Sequence, residues 1–155
     1  MTALPRKWRE RPLDKALNYL ALARKAGFAE LGEEPVGAAA REGHARLVIV
    51  ASDASDHTWR RAKSFVAGTN QQVLRLPYTK DEMGFVIGRT SLAIAAITDA
   101  GLAVSLVKAL SDAKNQSVLA ALEEMAQRAK QRQKEAKSHE RNKRIGKRRS
   151  NKKVL

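Results

Sequence analysis

The sequence contains no cysteine among its 155 residues. This excludes disulfides, thiolate metal ligands and thiol nucleophiles, and it fits a reducing compartment. Long apolar runs are also missing, because the two longest, residues 47–51 and 92–97, are far too short to cross a bilayer. The basic N-terminus is not followed by the hydrophobic run of a signal peptide. We therefore expect a soluble, cytoplasmic protein that has no membrane partner.

The residues that could perform chemistry are scattered along the chain. His44, His57 and His139 are far apart and have no thiol partners, so they form no recognisable metal-binding pattern. Ser52, Asp53 and His57 are the residue types of a hydrolase triad, but no nucleophile-elbow sequence surrounds the serine. A turn and a helix cap explain them better. From the sequence we therefore expect a protein that binds no metal or cofactor and has no enzymatic activity.

The formal net charge of +14 is concentrated at the two ends of the chain. Residues 127–155 carry thirteen Lys or Arg against two acids, and residues 1–12 carry four against one. Residues 13–126 hold thirteen basic and thirteen acidic residues and are formally neutral. A block of like charge stays solvated until a polyanion neutralises it, and displaced counterions make nucleic acid a favourable partner. A solubilising tail or an address signal is the alternative use of such a block.

Both basic ends offer candidate RNA contacts. Trp8 lies among Arg6, Lys7 and Arg9, where its indole could stack on a base or, equally, cover a hydrophobic patch of the body. In the C-terminal tail, eight cations are expected to bind RNA phosphates: Arg141, Lys143, Arg144, Lys147, Arg148, Arg149, Lys152 and Lys153.

Helical and strand-like segments alternate through the neutral part of the chain. Helices are predicted at about residues 14–26, 33–43, 55–66 and 99–110, with a further helix starting at 79, and strands at 28–31, 47–51, 73–76 and 92–97. The neutral part has room for one hydrophobic core. This order predicts an α/β fold, a single three-layer α/β/α sandwich with a mixed central sheet.

Local signals support several of these boundaries. Gly27 is placed to end the first helix, and Ser55 is placed to cap the third. Thr79 and Glu82 match a capping box, in which each side chain satisfies a free backbone amide at the helix start. Residues 47–51 are continuously apolar, which favours a strand at the centre of the sheet, covered on both faces.

The composition changes after Ser111. Val118, Leu119, Leu122 and Met125 form one narrow apolar face on a helix predicted from about residue 117. This helix either docks on the body or stays detached, and we expect it to fray into a disordered basic tail. The predicted organisation is a basic arm at 1–12, one folded domain at 13–110, and a helical, then disordered, basic tail at 111–155.

The ordered set of strings in residues 14–110 resembles the kink-turn RNA-binding ribosomal protein family, typified by the archaeal protein L-seven-Ae and its L-thirty-e relatives. The resemblance is closest to the small stand-alone bacterial members. The strings that carry it are LNYLALARKAG at 17–27, GEE at 32–34, GHARLVIVASD at 43–53, KDEMGFVIGR at 80–89 and AIAAITDAG at 93–101.

This resemblance implies a sandwich that grips sharply bent RNA. One helix start meets the non-Watson–Crick pairs of the bend, and a loop before the last strand packs on flipped-out nucleotides. Free amides at a helix start attract phosphate or base acceptors, and a small loop can wedge against unstacked bases. The residues at the implied contacts are Gly32, Glu33 and Glu34 at the helix start and Arg89, Thr90, Ser91 and Leu92 in the loop.

The chain departs from the family pattern at this helix start. Glu34 stands where the family usually has Asn, Pro35 where it has Glu, and Ala38 where it has Lys. Glu34 can accept a hydrogen bond from a guanine amino group, but it repels phosphates and cannot donate as an amide would. Arg41 is expected to contact RNA, and Arg46, Arg60, Arg61 and Lys63 could extend the footprint, although any soluble domain exposes arginines.

Taken together, these patterns predict a non-enzymatic RNA-binding protein, monomeric when free. It would recognise structured RNA, either ribosomal RNA or a kink-turn-like RNA, in ribosome assembly or translation, with the ribosome as a partner. Glu33 and Glu34 could form a catalytic acid and base pair, but adjacent helical side chains diverge by about 100°. Two alternatives remain: an RNA-substrate-binding module working with a partner enzyme such as an RNA methyltransferase, and an adaptor whose apolar face at 118–125 docks on a partner helix.

Overall fold

The computed structural model describes residues 15–153, and the side chains of residues 15–145. The helices are α1 (Lys15–Lys25), α2 (Glu33–Arg41), α3 (Asp56–Val66), α4 (Lys80–Val86), α5 (Ala100–Leu110) and α6 (Gln116–Lys153). The strands are β1 (Ala29–Leu31), β2 (Leu47–Val50), β3 (Gln72–Arg75) and β4 (Ile94–Ile97). A 3-10 turn at Ala113–Asn115 joins α5 to α6.

The predicted helix ends are confirmed by specific contacts. Ser55 caps α3, since its hydroxyl accepts from the Thr58 amide at 3.2 Å. The capping box of α4 is complete: Thr79 Oγ1 accepts from the Glu82 amide at 3.1 Å, while the Glu82 carboxylate accepts from the Thr79 amide. Such caps fix where each helix leaves its loop, and these two loops lie beside the candidate site.

The sheet has the strand order β1-β4-β2-β3. Strands β2 and β3 run parallel, whereas β4 runs antiparallel to both β1 and β2. The two central strands, β2 and β4, are buried along their whole length, as the apolar run at 47–51 predicted. Helices α2 and α3 pack together on one side of the sheet, and α1, α4 and α5 pack on the other. The predicted three-layer α/β/α sandwich with a mixed sheet is confirmed.

Register places several chain segments at one edge of this sheet, called here the front edge. Leu31 at the end of β1 pairs with Ala95 of β4, and Val50 at the end of β2 pairs with Ile94. Arg75 at the end of β3 pairs with Val50. The front edge therefore carries the starts of α2, α3 and α4 together with the loop that leads into β4. Ala51 and Ala93 join their loops there, through an amide to carbonyl bond of 2.9 Å.

The first turns of α6 belong to the core. Leu122 and Met125 are buried in the same hydrophobic cluster as the sheet residues, and Val118 and Leu119 pack against it. Lys108 on α5 and Glu123 on α6 add an ion pair at 3.7 Å. This apolar face, which the adaptor hypothesis assigned to a partner helix, packs instead on the chain's own body. That hypothesis loses the docking surface on which it depended.

Beyond residue 126 the structure differs from the expected transition to a disordered tail, because α6 continues as a helix to Lys153. The segment is rich in Ala, Gln, Lys, Arg and Glu, which are strong helix formers. Contacts at i, i+4 spacing add support, including Arg128 with Glu124 at 2.6 Å. Within residues 15–153, no helix combines the length and apolarity needed to span a membrane.

Candidate nucleic-acid interface

Helix α2 begins with open backbone donors. Its N-cap, Gly32, has φ 97° and ψ 163°, and no side chain caps the helix start. This left-handed φ favours glycine, since a side chain there would strain the backbone. Pro35 has no N–H to offer, so the donors that face outward at this helix start are the amides of Glu33 and Glu34. A helix start of this kind attracts anionic or carbonyl acceptors.

The loop before β4 is held tightly against α4. The amide of Arg89 donates to the Gly84 carbonyl at 2.8 Å, and the amide of Leu92 donates to the Lys80 carbonyl at 3.0 Å. Arg89, Thr90 and Ser91 are exposed, whereas Leu92 is 3% exposed and belongs to the core. The surface that this loop offers to a ligand therefore consists of residues 89–91. The prediction that Leu92 contacts RNA is therefore wrong, because this buried side chain anchors the loop to the core instead.

The helix start and the loop lie side by side at the front edge. The Gly32 amide donates to the carbonyl of Ile94 at 3.0 Å, which joins the end of β1 directly to the end of the loop. Residues 32–34 and 89–91 are more than fifty positions apart in sequence, yet antiparallel pairing of β1 with β4 brings them together. Both segments predicted as RNA contacts therefore share one surface.

A shallow groove of about 410 Å³ extends this surface between α2 and α3. Arg41 lies on it, as does Glu33, and Arg61 of α3 forms an ion pair with the Glu33 carboxylate. The Arg61 guanidinium also stands 5.4 Å from the centroid of the Phe65 ring. Gly37 permits this arrangement, because a Cβ there would come within 3.1 Å of the Phe65 ring. The groove thus has a cationic and aromatic wall supplied by α3.

Arg61 changes the electrostatics of the helix start. The sequence places two adjacent acids, Glu33 and Glu34, at a helix start whose free amides attract anionic acceptors. Because Arg61 pairs with Glu33, the repulsion from one of these two carboxylates is offset by a neighbouring cation. The sequence indicated that Arg61 could extend the RNA footprint, but it did not predict the ion pair with Glu33. That ion pair joins two helices, and no local sequence pattern indicates such a contact.

A second cluster of cations surrounds Trp59 on α3. Arg75 lies 4.8 Å and Lys63 5.5 Å from the Trp59 ring centroid, both within the range of cation–π attraction. Trp59 is half-buried and packs against the core. Arg75 ends β3 at the front edge. The cluster therefore adds positive charge on the opposite side of α3 from the groove residues Arg61 and Phe65.

The other predicted RNA contacts lie in the C-terminal tail and the N-terminal arm, and the structure describes the side chains of only some of them. Arg141, Lys143 and Arg144 are exposed on α6. The other tail cations, Lys147, Arg148, Arg149, Lys152 and Lys153, belong to the same helix beyond the described side chains, and the arm at 1–12, with Trp8, lies outside the described residues.

The residue types that could suggest catalysis have structural roles or lie apart. Asp53 Oδ1 accepts from the Lys80 amide at 2.8 Å, which ties the loop after β2 to the start of α4. His44, His57 and His139 are exposed on three separate elements or loops. Among residues 15–145, no group of three or more His, Cys, Asp or Glu side chains could hold a metal ion.

No family model and no curated protein matches the chain. Among solved structures, it is similar to a protein with unknown function from Bacillus halodurans, with 28% identity and a TM-score of 0.59 over 64% of this chain and 99% of that one. It is also similar to the Giardia lamblia 15.5kD RNA binding protein, with 16% identity and a TM-score of 0.54 over 67% of this chain and 87% of that one. These proteins share the fold of the sandwich.

Proposed function

We propose that this protein binds structured RNA and catalyses no reaction, with ribosomal RNA or a kink-turn-like RNA as its target in ribosome assembly or translation. The observation that carries the proposal is the meeting of two segments at the front edge: the uncapped helix start at 32–34 and the exposed loop at 89–91. The same fold in an RNA-binding protein of Giardia lamblia, and the resemblance of residues 14–110 to kink-turn binders, support this choice.

The front edge would recognise the shape of the RNA. Amides of Glu33 and Glu34 are positioned to donate to phosphate or base oxygens, and the exposed loop at 89–91 is positioned to contact unstacked bases. Arg41, on the groove between α2 and α3, would contact the adjoining backbone. Because the loop is fixed to α4 by two backbone hydrogen bonds, this surface is formed before the RNA arrives.

The cationic segments would supply most of the affinity. Residues 127–155 carry thirteen basic residues, and their contacts with phosphates release counterions from the RNA. Such contacts hold the RNA without reading its sequence. Shape selection at the front edge and electrostatic attraction at α6 are therefore separate contributions, and each can be removed by itself.

A binding titration across salt concentrations tests the proposal. Three RNAs of equal length should be compared: one with a kink-turn, one ribosomal fragment with an internal loop, and one uninterrupted duplex. We expect tighter binding to the bent RNAs, and a log–log salt slope of about 0.7 to 0.9 per phosphate engaged. A response that is flat with salt, or equal affinity for all three RNAs, would contradict the proposal.

Crosslinking in cells identifies the target. We expect ribosomal RNA to be the main transcript attached to the full-length protein, and we expect substitution of the loop residues Arg89 and Thr90 by alanine to reduce its yield. Recovery of a methyltransferase with the protein, without ribosomal RNA, would instead support a role as the RNA-substrate-binding module of a partner enzyme.

A further inference from the structure

Part of the basic surface of α6 is arranged as a row. Lys130, Lys134, Lys137, Arg141 and Arg144 follow one another at alternating steps of four and three residues, and all five are exposed. At about 100° per residue, they fall within an arc of about 80° on one face of the helix. We call these five residues the basic stripe. The same face continues in the sequence with Arg148 and Lys152, each a further four residues on.

The other charged residues of this segment lie outside the arc. Arg132, Lys143 and Glu135 point roughly opposite to the basic stripe, and Glu140 falls on its flank. Of the stripe residues, Arg144 has a loose ion pair with Glu140, at 3.9 Å between exposed side chains. The segment therefore has one side of concentrated positive charge and a remaining surface of mixed charge.

This arrangement works against the helix that carries it. Lys130 and Lys134, and likewise Lys137 and Arg141, stand at i, i+4 spacing, where like charges repel each other and destabilise a helix. Every described side chain from residue 127 to residue 145 is exposed, so no burial within the chain offsets that repulsion. A bound polyanion would remove the repulsion and make the row favourable.

We propose that the basic stripe binds the phosphates of a double-helical RNA stem, with α6 acting as a helical arm fixed to the sandwich by Leu122 and Met125. From Lys130 to Arg144 the stripe covers about 21 Å of helix. A row of cations at regular spacing on a helix suits a ligand whose phosphates also keep fixed positions. A flexible single strand would adapt to any distribution of the same charges. This inference rests on the proposed RNA-binding function.

Two double variants of the full-length protein separate the stripe from bulk charge. Lys134→Gln with Arg141→Gln removes one Lys and one Arg from the stripe. Arg132→Gln with Lys143→Gln removes one Lys and one Arg from the other side at nearly the same positions. Glutamine is a good helix former, so circular dichroism should show that both variants stay helical, with the stripe variant no less helical than the control because it loses two repelling pairs.

Affinities for an RNA carrying an extended stem give the result. We expect the stripe variant to bind about tenfold more weakly than the intact protein, and the control variant to lose less than about threefold. For a single-stranded RNA of equal length, the two variants should weaken binding equally. The proposal would be wrong if both variants lost the same affinity for the stem RNA. It would also be wrong if the stripe variant bound the single-stranded RNA more weakly than the control variant by the same factor as the stem RNA.

The failure of this inference can be told apart from failure of the proposed function. If both variants lose affinity equally but still prefer bent RNA, the protein binds RNA and only the stripe is wrong. If the intact protein binds none of the RNAs, the proposed function and the stripe fail together. Loss of helicity in one variant would be resolved by Lys134→Arg with Arg141→Lys, which keeps the charge and should restore stem binding.

Discussion

Gly84 of α4 and Ser91 of the loop before β4 lie so close that a Cβ added at residue 84 would stand 2.7 Å from the Ser91 Cα. The nearest atoms are backbone, which cannot rotate away as a flexible side chain could. This close approach holds the loop against α4, and with it the exposed residues at 89–91. The glycine at position 84 is therefore a requirement for the shape of the proposed RNA surface.

Gly84→Ala should destabilise the protein and displace the loop. We expect a loss of about 1 to 3 kcal/mol in the free energy of unfolding, as found for overpacked sites. Denaturant unfolding measures this cost, and amide hydrogen exchange should report faster opening at Arg89 and Leu92. Gly101→Ala on α5 is the control, because its Cβ would meet only a side-chain atom, the Asp99 carboxylate oxygen that caps α5, at the longer distance of 3.3 Å. If both variants had the same free energy of unfolding, the loop at 89–91 would be able to move away from residue 84 without loss of stability.

Arg61→Gln should weaken RNA binding by more than the loss of a distant cation, because it leaves the Glu33 carboxylate uncompensated beside the helix start. We expect about a fivefold loss, which corresponds to ~1 kcal/mol. The double variant Arg61→Gln with Glu33→Gln should recover part of that loss. Stability should change by less than about 1 kcal/mol in each case, since the pair is exposed. Additive effects on affinity would show that the pair plays no part in binding.

Glu34→Asn should raise affinity for kink-turn RNA. The substitution removes an exposed carboxylate at the helix start and supplies an amide that both donates and accepts. We expect a gain of about fivefold, ~1 kcal/mol. Glu42→Asn, at the C-terminal end of α2, removes the same charge away from the front edge. An equal gain from both variants would mean that net charge, and not the identity of residue 34, sets the affinity.

The fold was accessible from sequence because its signals are local. The apolar run at 47–51, the Ser55 cap and the box of Thr79 with Glu82 each report on a few adjacent residues, and all three are confirmed. The proximity of 32–34 to 89–91 was available only through the family resemblance. No local pattern encodes the antiparallel pairing of β1 with β4 that creates it.

Other features depended on packing that the sequence does not display. The ion pair of Arg61 with Glu33 joins two helices, and the burial of Leu92 follows from how the loop meets α4. In residues 127–155 the high density of positive charge favours disorder, whereas the helix propensity of the residues and their i, i+4 contacts favour a helix. The structure has the helix. Docking of Leu122 and Met125 supplies a formed first turn from which that helix can propagate.

The helicity of α6 should increase when its charge is neutralised. Like charges at i, i+4 spacing destabilise the segment after residue 126, and both salt and RNA reduce that repulsion. Circular dichroism of the intact chain should therefore show more helix at high salt or with bound RNA. A chain ending at residue 126 serves as the control and should show no such change. Helicity that falls with salt in the intact chain would show that its ion pairs outweigh the repulsion.

Two truncations should separate the docked part of α6 from its basic part. A chain ending at Ala126 keeps Leu122 and Met125, so its free energy of unfolding should stay within about 1 kcal/mol of the intact protein. Its RNA affinity should fall, and its log–log salt slope should decrease by about 0.7 to 0.9 for each phosphate that the basic part no longer neutralises.

A chain ending at Leu110 also loses the burial of Leu122 and Met125, and should be less stable by about 3 to 5 kcal/mol. Leu122→Ala in the full-length protein is the matched point change, and should cost about 2 to 5 kcal/mol with all tail cations retained. Because this variant keeps the charges, its folded form should bind RNA with the salt slope of the intact protein. If the chain ending at Leu110 proved as stable as the one ending at Ala126, the docked turns would add nothing to the core. In that case Leu122 and Met125 would not fix the direction in which α6 leaves the sandwich.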